Sequence, residues 1–406
     1  MSINIIISKS SNILCVLFVL FTVFPVKLNY SSMVIIALSI IGLVNLFVSK
    51  NKKNAKLTPL IFLISIPFMI YMLGLVNTTN LRYGTGFLLK NLSFVAFPFV
   101  FYSLNNYINR ETLFKTYLIG LTIVNSYLIY LFIYYYNFGA KFYMIVTTDI
   151  YHSTFLGMYN IVAFWICISI FMKKNKKLYS FLATFFLLSA IISSARIIFV
   201  LSIVSIGLSI LFIIKSRLKR ILAFSMICIV GILVLFKVPS IKQKFNQFKE
   251  IKKIGFDKHN YQSISSRFGK IEATTTVLKE NFWFGTGTGD LLDELVKEYK
   301  NMNFLMGYKY RYNPHNQYLD NLTRNGIIGG GISLIVIFLL PLYFAIRNKN
   351  KLLFTFIITV GFVCLTESVL DVHKGITFYT FFITLIISNY STIIKNLTFS
   401  IPNAKI

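Results

Sequence analysis

Acidic side chains are scarce in this chain: 13 aspartates and glutamates stand against 41 lysines and arginines, a formal net charge of +28. Charged residues of either sign make up 13% of the chain and hydrophobic ones 56%, which excludes an ordinary soluble globular domain. Cysteine is as sparse. Cys15, Cys167, Cys228 and Cys364 all fall inside apolar runs without metal-ligand spacing, so they read as small core residues, not as disulfides or ligands. No HExxH segment and no close carboxylate pair marks a metal hydrolase, and the four histidines, His152, His259, His315 and His373, are scattered. Residues Phe284 to Gly289 resemble a phosphate loop only superficially, because the closing lysine and hydroxyl residue are missing. Neither a metal nor another cofactor is expected.

Long apolar runs are what the chain has in abundance. At about 20 residues per crossing, they predict about twelve membrane helices: 11–27, 30–48, 58–76, 87–105, 113–136, 153–172, 178–193, 197–214, 221–238, 326–346, 352–370 and 374–391. The expected fold is all-α, a polytopic membrane helix bundle without a convincing internal repeat. The first apolar run reads as a retained span, not a cleaved leader, because a second follows at once. Basic clusters such as Lys173/Lys174/Lys176/Lys177 and Arg347/Lys349/Lys351 occupy short connections after even-numbered spans. Such loops mark the cytoplasmic side, which puts both termini there and accounts for the charge without nucleic acid.

Polar chemistry is concentrated in one insert, from about Ser240 to Arg324. Nine of the 13 acidic residues lie in it, together with Arg267, His259 and His315. The organisation is therefore read as spans one to nine over 1–238, a large outer loop over 239–325, and spans ten to twelve with a short cytoplasmic tail over 326–406. Basic residues 242–253 suit a short interfacial helix, 265–280 have helical spacing, and Asp290 is placed to cap a helix over 290–300. Gly326, Gly329, Gly330 and Gly331 suit close helix packing where the chain returns to the membrane.

His315 is the first choice for a catalytic group, because a neutral imidazole accepts a proton near neutral pH. A packing histidine is the plainer reading. Asn316 and Gln317 could orient a substrate or the ring. Arg196 follows Ser193-Ser194-Ala195 at a break between spans. A guanidinium at mid-bilayer costs about 3 kcal/mol, so Arg196 should face a polar cavity near the outer surface. Arg196 and Arg267 suit two phosphate oxygens. Arg82 and Lys90 are supporting cations from the neighbouring outer turn and span, although topology-setting or surface roles describe them as well. Glu367 and Asp371, at the outer end of span eleven, could hold Arg196, move a proton or tether helices. His152 and His373 are weaker candidates, and Tyr308, Tyr310 and Tyr312 could border a sugar site.

Several of these segments together resemble the O-antigen ligase and polymerase superfamily of bacterial membrane glycan transferases. They are Ser193-Ser194-Ala195-Arg196, Ser265-Ser266-Arg267, Asn281 to Gly287, His315-Asn316-Gln317-Tyr318-Leu319-Asp320 and Asn325-Gly326-Ile327-Ile328-Gly329, with Tyr151-His152-Ser153 before them. The resemblance spans roughly 150–370 and is weak in the first hundred residues. It implies a GT-C-like bundle in the bacterial inner membrane with a periplasmic active site. The implied donor is an undecaprenyl-diphosphate-linked glycan, and the acceptor is lipid A–core or a second lipid-linked repeat. A loop histidine and two arginines form the implied site, matched here by His315, Arg196 and Arg267. His315 would take the proton of an acceptor hydroxyl while the arginines stabilise the departing diphosphate, with inversion and without metal. A transporter or flippase for lipid-linked oligosaccharide is the alternative, and a noncatalytic envelope scaffold a further one.

Overall fold

The computed structural model describes residues 3–25, 30–48, 59–134, 152–192, 195–223, 225 and 263–398. The expected span over 221–238 lies almost wholly outside them. The basic stretch 242–253, His259, Cys228, Tyr151 and the Ser193-Ser194 pair lie outside them entirely.

Every regular element among the described residues is helical. In chain order they are α1 (Ile3–Val23), α2 (Tyr30–Val48), α3 (Pro59–Leu63), α4 (Ile66–Leu73), α5 (Leu81–Asn91), α6 (Ser93–Leu104), α7 (Arg110–Tyr134), α8 (Ser153–Lys174), α9 (Lys177–Ile192) and α10 (Arg196–Ile213). The insert contributes α11 (Ser263–Glu280), α12 (Leu291–Asn301) and α13 (Leu305–Tyr310). The chain then returns through α14 (Gln317–Leu334), a π-helical turn at Ile335–Leu339, α15 (Leu340–Arg347), α16 (Lys351–Cys364) and α17 (His373–Thr398). Seven helical stretches among the described residues are long and apolar enough to cross a membrane, and α9, α16 and Ile61–Leu73 are shorter apolar helices. The chain is thus a polytopic membrane helix bundle.

Two helices form its centre. Residues 156–168 of α8 and 376–387 of α17 are buried on every side, the pattern of a helix apolar all round. Aromatic rings join them: Phe378 of α17 meets Tyr159 of α8 at 4.5 Å and Phe356 of α16 at 6.0 Å. Cys15, Cys167 and Cys364 are free and buried in this core. Helix α8 packs on α7, α9, α10 and α16. The insert carries a separate small core made by Ala273, Val277, Leu291, Leu295, Tyr299 and Phe304, and α11 lies against α14.

The span expected from residue 326 instead begins at Gln317 and is broken at Gly326, whose φ is 67° and ψ −179°. This break exchanges backbone partners. In a continuous helix Ile327 and Ile328 would donate to the carbonyls of Thr323 and Arg324. They donate instead to Phe282 O and Trp283 O, at 2.8 and 3.4 Å. Thr323 O and Arg324 O accept from Thr286 N and Gly287 N, at 2.9 and 3.0 Å. The glycine-rich turn therefore satisfies the broken ladder, as backbone away from water requires. A Cβ at Gly326 would lie 2.2 Å from Trp283 O, so only glycine fits.

The same turn is held by α14's side chains. Buried Arg324 donates to Asp320 at 3.1 Å, to Thr288 O at 2.7 Å and to Asp371 at 3.4 Å, with its guanidinium 4.0 Å from the Phe87 ring centroid. Asp290 does not cap α12, contrary to expectation. Its carboxylate accepts from Thr79 N and Asn80 N, both at 2.7 Å, and ties the turn to the 77–80 connection. The surrounding backbone donors of that connection have no helix to satisfy them, so they outcompete α12's first turn for the carboxylate.

Candidate functional site

His315 sits in the short connection between α13 and α14, immediately before Asn316. Asn316 is the residue that starts α14: its side-chain oxygen accepts from Tyr318 N and Leu319 N, at 3.0 and 3.1 Å. Gln317 is buried, donating to Asn321 at 3.1 Å and accepting from Leu370 N at 2.6 Å. These two residues thus fix the start of α14 and hold it to the turn after α16. His315 itself has φ 48°, a left-handed conformation uncommon for a residue with a Cβ. Such an outlier concentrates where a side chain must be presented in one direction.

The imidazole is presented to Glu367. His315 Nδ1 lies 3.1 Å from Glu367 Oε2, with the histidine side chain 32% exposed and the glutamate 12%. Burial pushes the Glu367 carboxyl up. The hydrogen bond with His315 and the charges of His315, His152 and Arg267 outweigh it and hold the carboxyl below its ordinary value. The carboxylate therefore stays ionised at neutral pH. A carboxylate at Nδ1 keeps the proton there, which leaves the lone pair on Nε2. The arrangement is a partly exposed imidazole, oriented from behind and able to accept a proton in front.

Two cations of α11 lie within electrostatic range of Glu367. Arg267 is half-buried on α11 and within electrostatic range of Glu367. One turn further along, Lys270 is buried, and its Nζ lies 4.1 Å from the Tyr312 ring centroid. Burial and the neighbouring Arg267 pull the Lys270 ammonium down to about 8, against a smaller opposing pull from Glu367. Sequence reasoning passed over Lys270. Its only signal was the three-residue spacing from Arg267, which puts both on one helical face.

Arg196 is the first residue of α10 and is exposed. One cavity is lined jointly by Lys173 at the end of α8, Phe212 at the end of α10 and Lys351 at the start of α16. Those three termini share one end of the bundle. His152, Arg196 and the segment carrying Glu367 belong to the opposite ends of the same three helices. The bundle thus brings Arg196 to the end that holds His315.

The other expected residues lie elsewhere or do other work. Asp371 pairs with Arg324, not with His315. Arg82 and Lys90 are exposed on α5, with Lys90 Nζ 6.0 Å from the Tyr83 ring centroid. His373 Nε2 meets Ser31 and Ser32 at 3.3 and 3.1 Å, at the start of α2. Tyr310 and Tyr312 stack at 5.9 Å beside the site, and Tyr308 and Tyr310 are exposed.

Comparison with known proteins finds a family similarity over part of this region. Residues 180–333 match the family model described as O-antigen ligase, a stretch that includes Arg196, Arg267, Lys270 and His315 but not His152 or Glu367. An uncharacterized protein of Haemophilus influenzae is 28% identical over 193 residues, covering 46% of this chain. The match spans about half of that relative, 48% of its length.

Proposed function

We infer that this chain, a member of the O-antigen ligase family through residues 180–333, is a glycosyltransferase that moves a glycan from a lipid diphosphate to a sugar hydroxyl. The observation that carries this reading is the His315–Glu367 contact, with Arg267 and Lys270 within electrostatic range of Glu367. The donor is an undecaprenyl-diphosphate-linked glycan, and the acceptor is a second lipid-linked repeat or lipid A–core. The protein crosses the bacterial inner membrane about twelve times in a GT-C-like bundle. Both termini are cytoplasmic and the site is periplasmic.

His315 Nε2 takes the proton of the acceptor hydroxyl as its oxygen attacks the anomeric carbon. The bond from that carbon to the diphosphate oxygen breaks, and its electron pair stays with the lipid diphosphate. Arg196 and Arg267 receive the growing negative charge, with Lys270 adding a third positive charge from the helix face it shares with Arg267. Displacement on the face opposite the leaving group inverts the anomeric configuration. Glu367 is a positioning residue: it fixes the tautomer and stabilises the imidazolium that forms.

Purified protein in detergent, offered a lipid-linked repeat with and without lipid A–core, tests the reading. Longer lipid-linked chains identify a polymerase, and product only with lipid A–core identifies a ligase. Detergent leaves no compartments, so glycan transfer there argues against the transporter alternative. No covalent product from either mixture, with a folded chain, would refute the proposal.

A further inference from the structure

The bundle has a second polar feature, at the end opposite His315. Two adjoining cavities of about 310 and 270 Å³ lie there and share the side chains of Phe114, Ser169, Lys173 and Leu352. The larger reaches Lys349 and Lys351, and the smaller reaches Arg110, Lys115 and Lys174. Among the described residues the one carboxylate on their walls, Glu111, is already engaged by Lys174 at 2.8 Å and Lys115 at 3.2 Å. Arg110 is half-buried and donates to the neutral Asn105 and Ser388 side chains. Among the described residues its Nε is buried without a hydrogen-bond partner. Lys173 and Lys349 have no carboxylate partner among the described residues.

The deeper wall is apolar. Trp165, Phe212 and Ile386 line the larger cavity behind the lysines, with Trp165 only 3% exposed. A rim of six cations and one carboxylate over an apolar wall, between helices at a membrane surface, matches an anionic amphiphile. A free inorganic anion would use the rim and leave the wall empty. A zwitterionic lipid would use the wall and bring its own cation against the lysines. We propose that these cavities hold the phosphodiester headgroup of an anionic phospholipid, with its first acyl carbons against Trp165. The site is separate from the transfer chemistry and does not depend on it.

The chain's 2 tryptophans, Trp165 and Trp283, supply the readout. In a Trp283→Phe chain, Trp165 becomes the sole indole, and bromine on a lipid chain quenches it only at short range. The full-length variant is titrated with dibrominated phosphatidylglycerol or dibrominated phosphatidylcholine. Phosphatidylglycerol should quench at a several-fold lower mole fraction. A cation near a membrane surface favours an anionic lipid about fivefold, so Lys173→Gln/Lys351→Gln should remove most of that preference. Both lysines are exposed, so the fold should survive their replacement. Lys177→Gln, at the same end but outside both cavities, should leave the preference intact, as should millimolar inorganic phosphate. Equal quenching by the two lipids, a preference unaffected by the double substitution, or loss of preference in inorganic phosphate would each overturn the assignment.

Discussion

Replacing Glu367 by glutamine keeps the side chain's size and removes its charge. The wild-type carboxylate accepts a hydrogen bond from His315 Nδ1 at 3.1 Å and is 12% exposed. A hydrogen bond to a charged group of this kind contributes about 1.5–3 kcal/mol. That support strengthens as the imidazole becomes imidazolium, so its loss falls on the transition state. At 1.36 kcal/mol per factor of ten, kcat should fall roughly tenfold to a hundredfold, with KM for the donor little changed. Glutamine can also turn its NH2 toward Nδ1, which would move the ring proton to Nε2 and deepen the defect. Single-turnover transfer by purified protein, with donor saturating, measures this. His315→Ala should lose more, and His315→Ala/Glu367→Gln no more than His315→Ala alone, because the two act as one unit. Wild-type kcat in Glu367→Gln, or a double variant much slower than His315→Ala, would refute the coupling.

Further outcomes follow at four other residues. Lys270 titrates near 8 in the fold, so donor KM should rise as pH passes about 8, and Lys270→Gln should show a raised KM without that rise. For stability the sign is opposite: between that value and the ordinary 10.5 the unfolded chain holds the extra proton, so Lys270 favours folding more as pH rises. Gly326→Ala should lower the melting temperature of the detergent-solubilised protein, with a cost of at least ~2 kcal/mol from its positive φ and the contact with Trp283 O; an unchanged melting temperature would refute the close fit of the helix break against Trp283. Arg324→Met leaves Asp320 and Asp371 without their cation and should cost about 3–5 kcal/mol, seen as lost folded yield instead of a changed pH profile. Arg196→Ala should reduce transfer far more than Arg347→Ala at the lysine-rich end, and equal near-normal rates at matched expression would exclude Arg196 from diphosphate binding.

Apolar run length marked most helices of this bundle, because a membrane crossing needs a near-continuous stretch and the chain has few charges to interrupt one. The break before Arg196 was also readable: α9 ends at Ile192 and α10 starts at Arg196. Residue type singled out His315, Arg267 and Glu367 separately. It could not reveal that His315 and Glu367 meet, since 52 residues separate them and the contact depends on the start of α14 being held to α16 and the turn after it. Lys270 escaped notice because spacing alone does not distinguish a buried lysine from a solvated one. The start of α14 was misplaced for a physical reason. Polar residues 317–325 look like loop, yet Asp320 and Arg324 are an i,i+4 pair buried against the glycine turn. Asp290 does stand at the start of α12, but its carboxylate goes to the backbone donors at 79 and 80, which belong to a segment distant in sequence.

The most direct measurement is the rate of glycan transfer from a purified lipid-diphosphate donor in detergent, wild type against His315→Ala, under conditions where the bond-making step limits. Loss of a general base predicts a rate lower by about 10²–10⁴, with the melting temperature and donor binding retained. Equal rates in the two proteins would contradict the account.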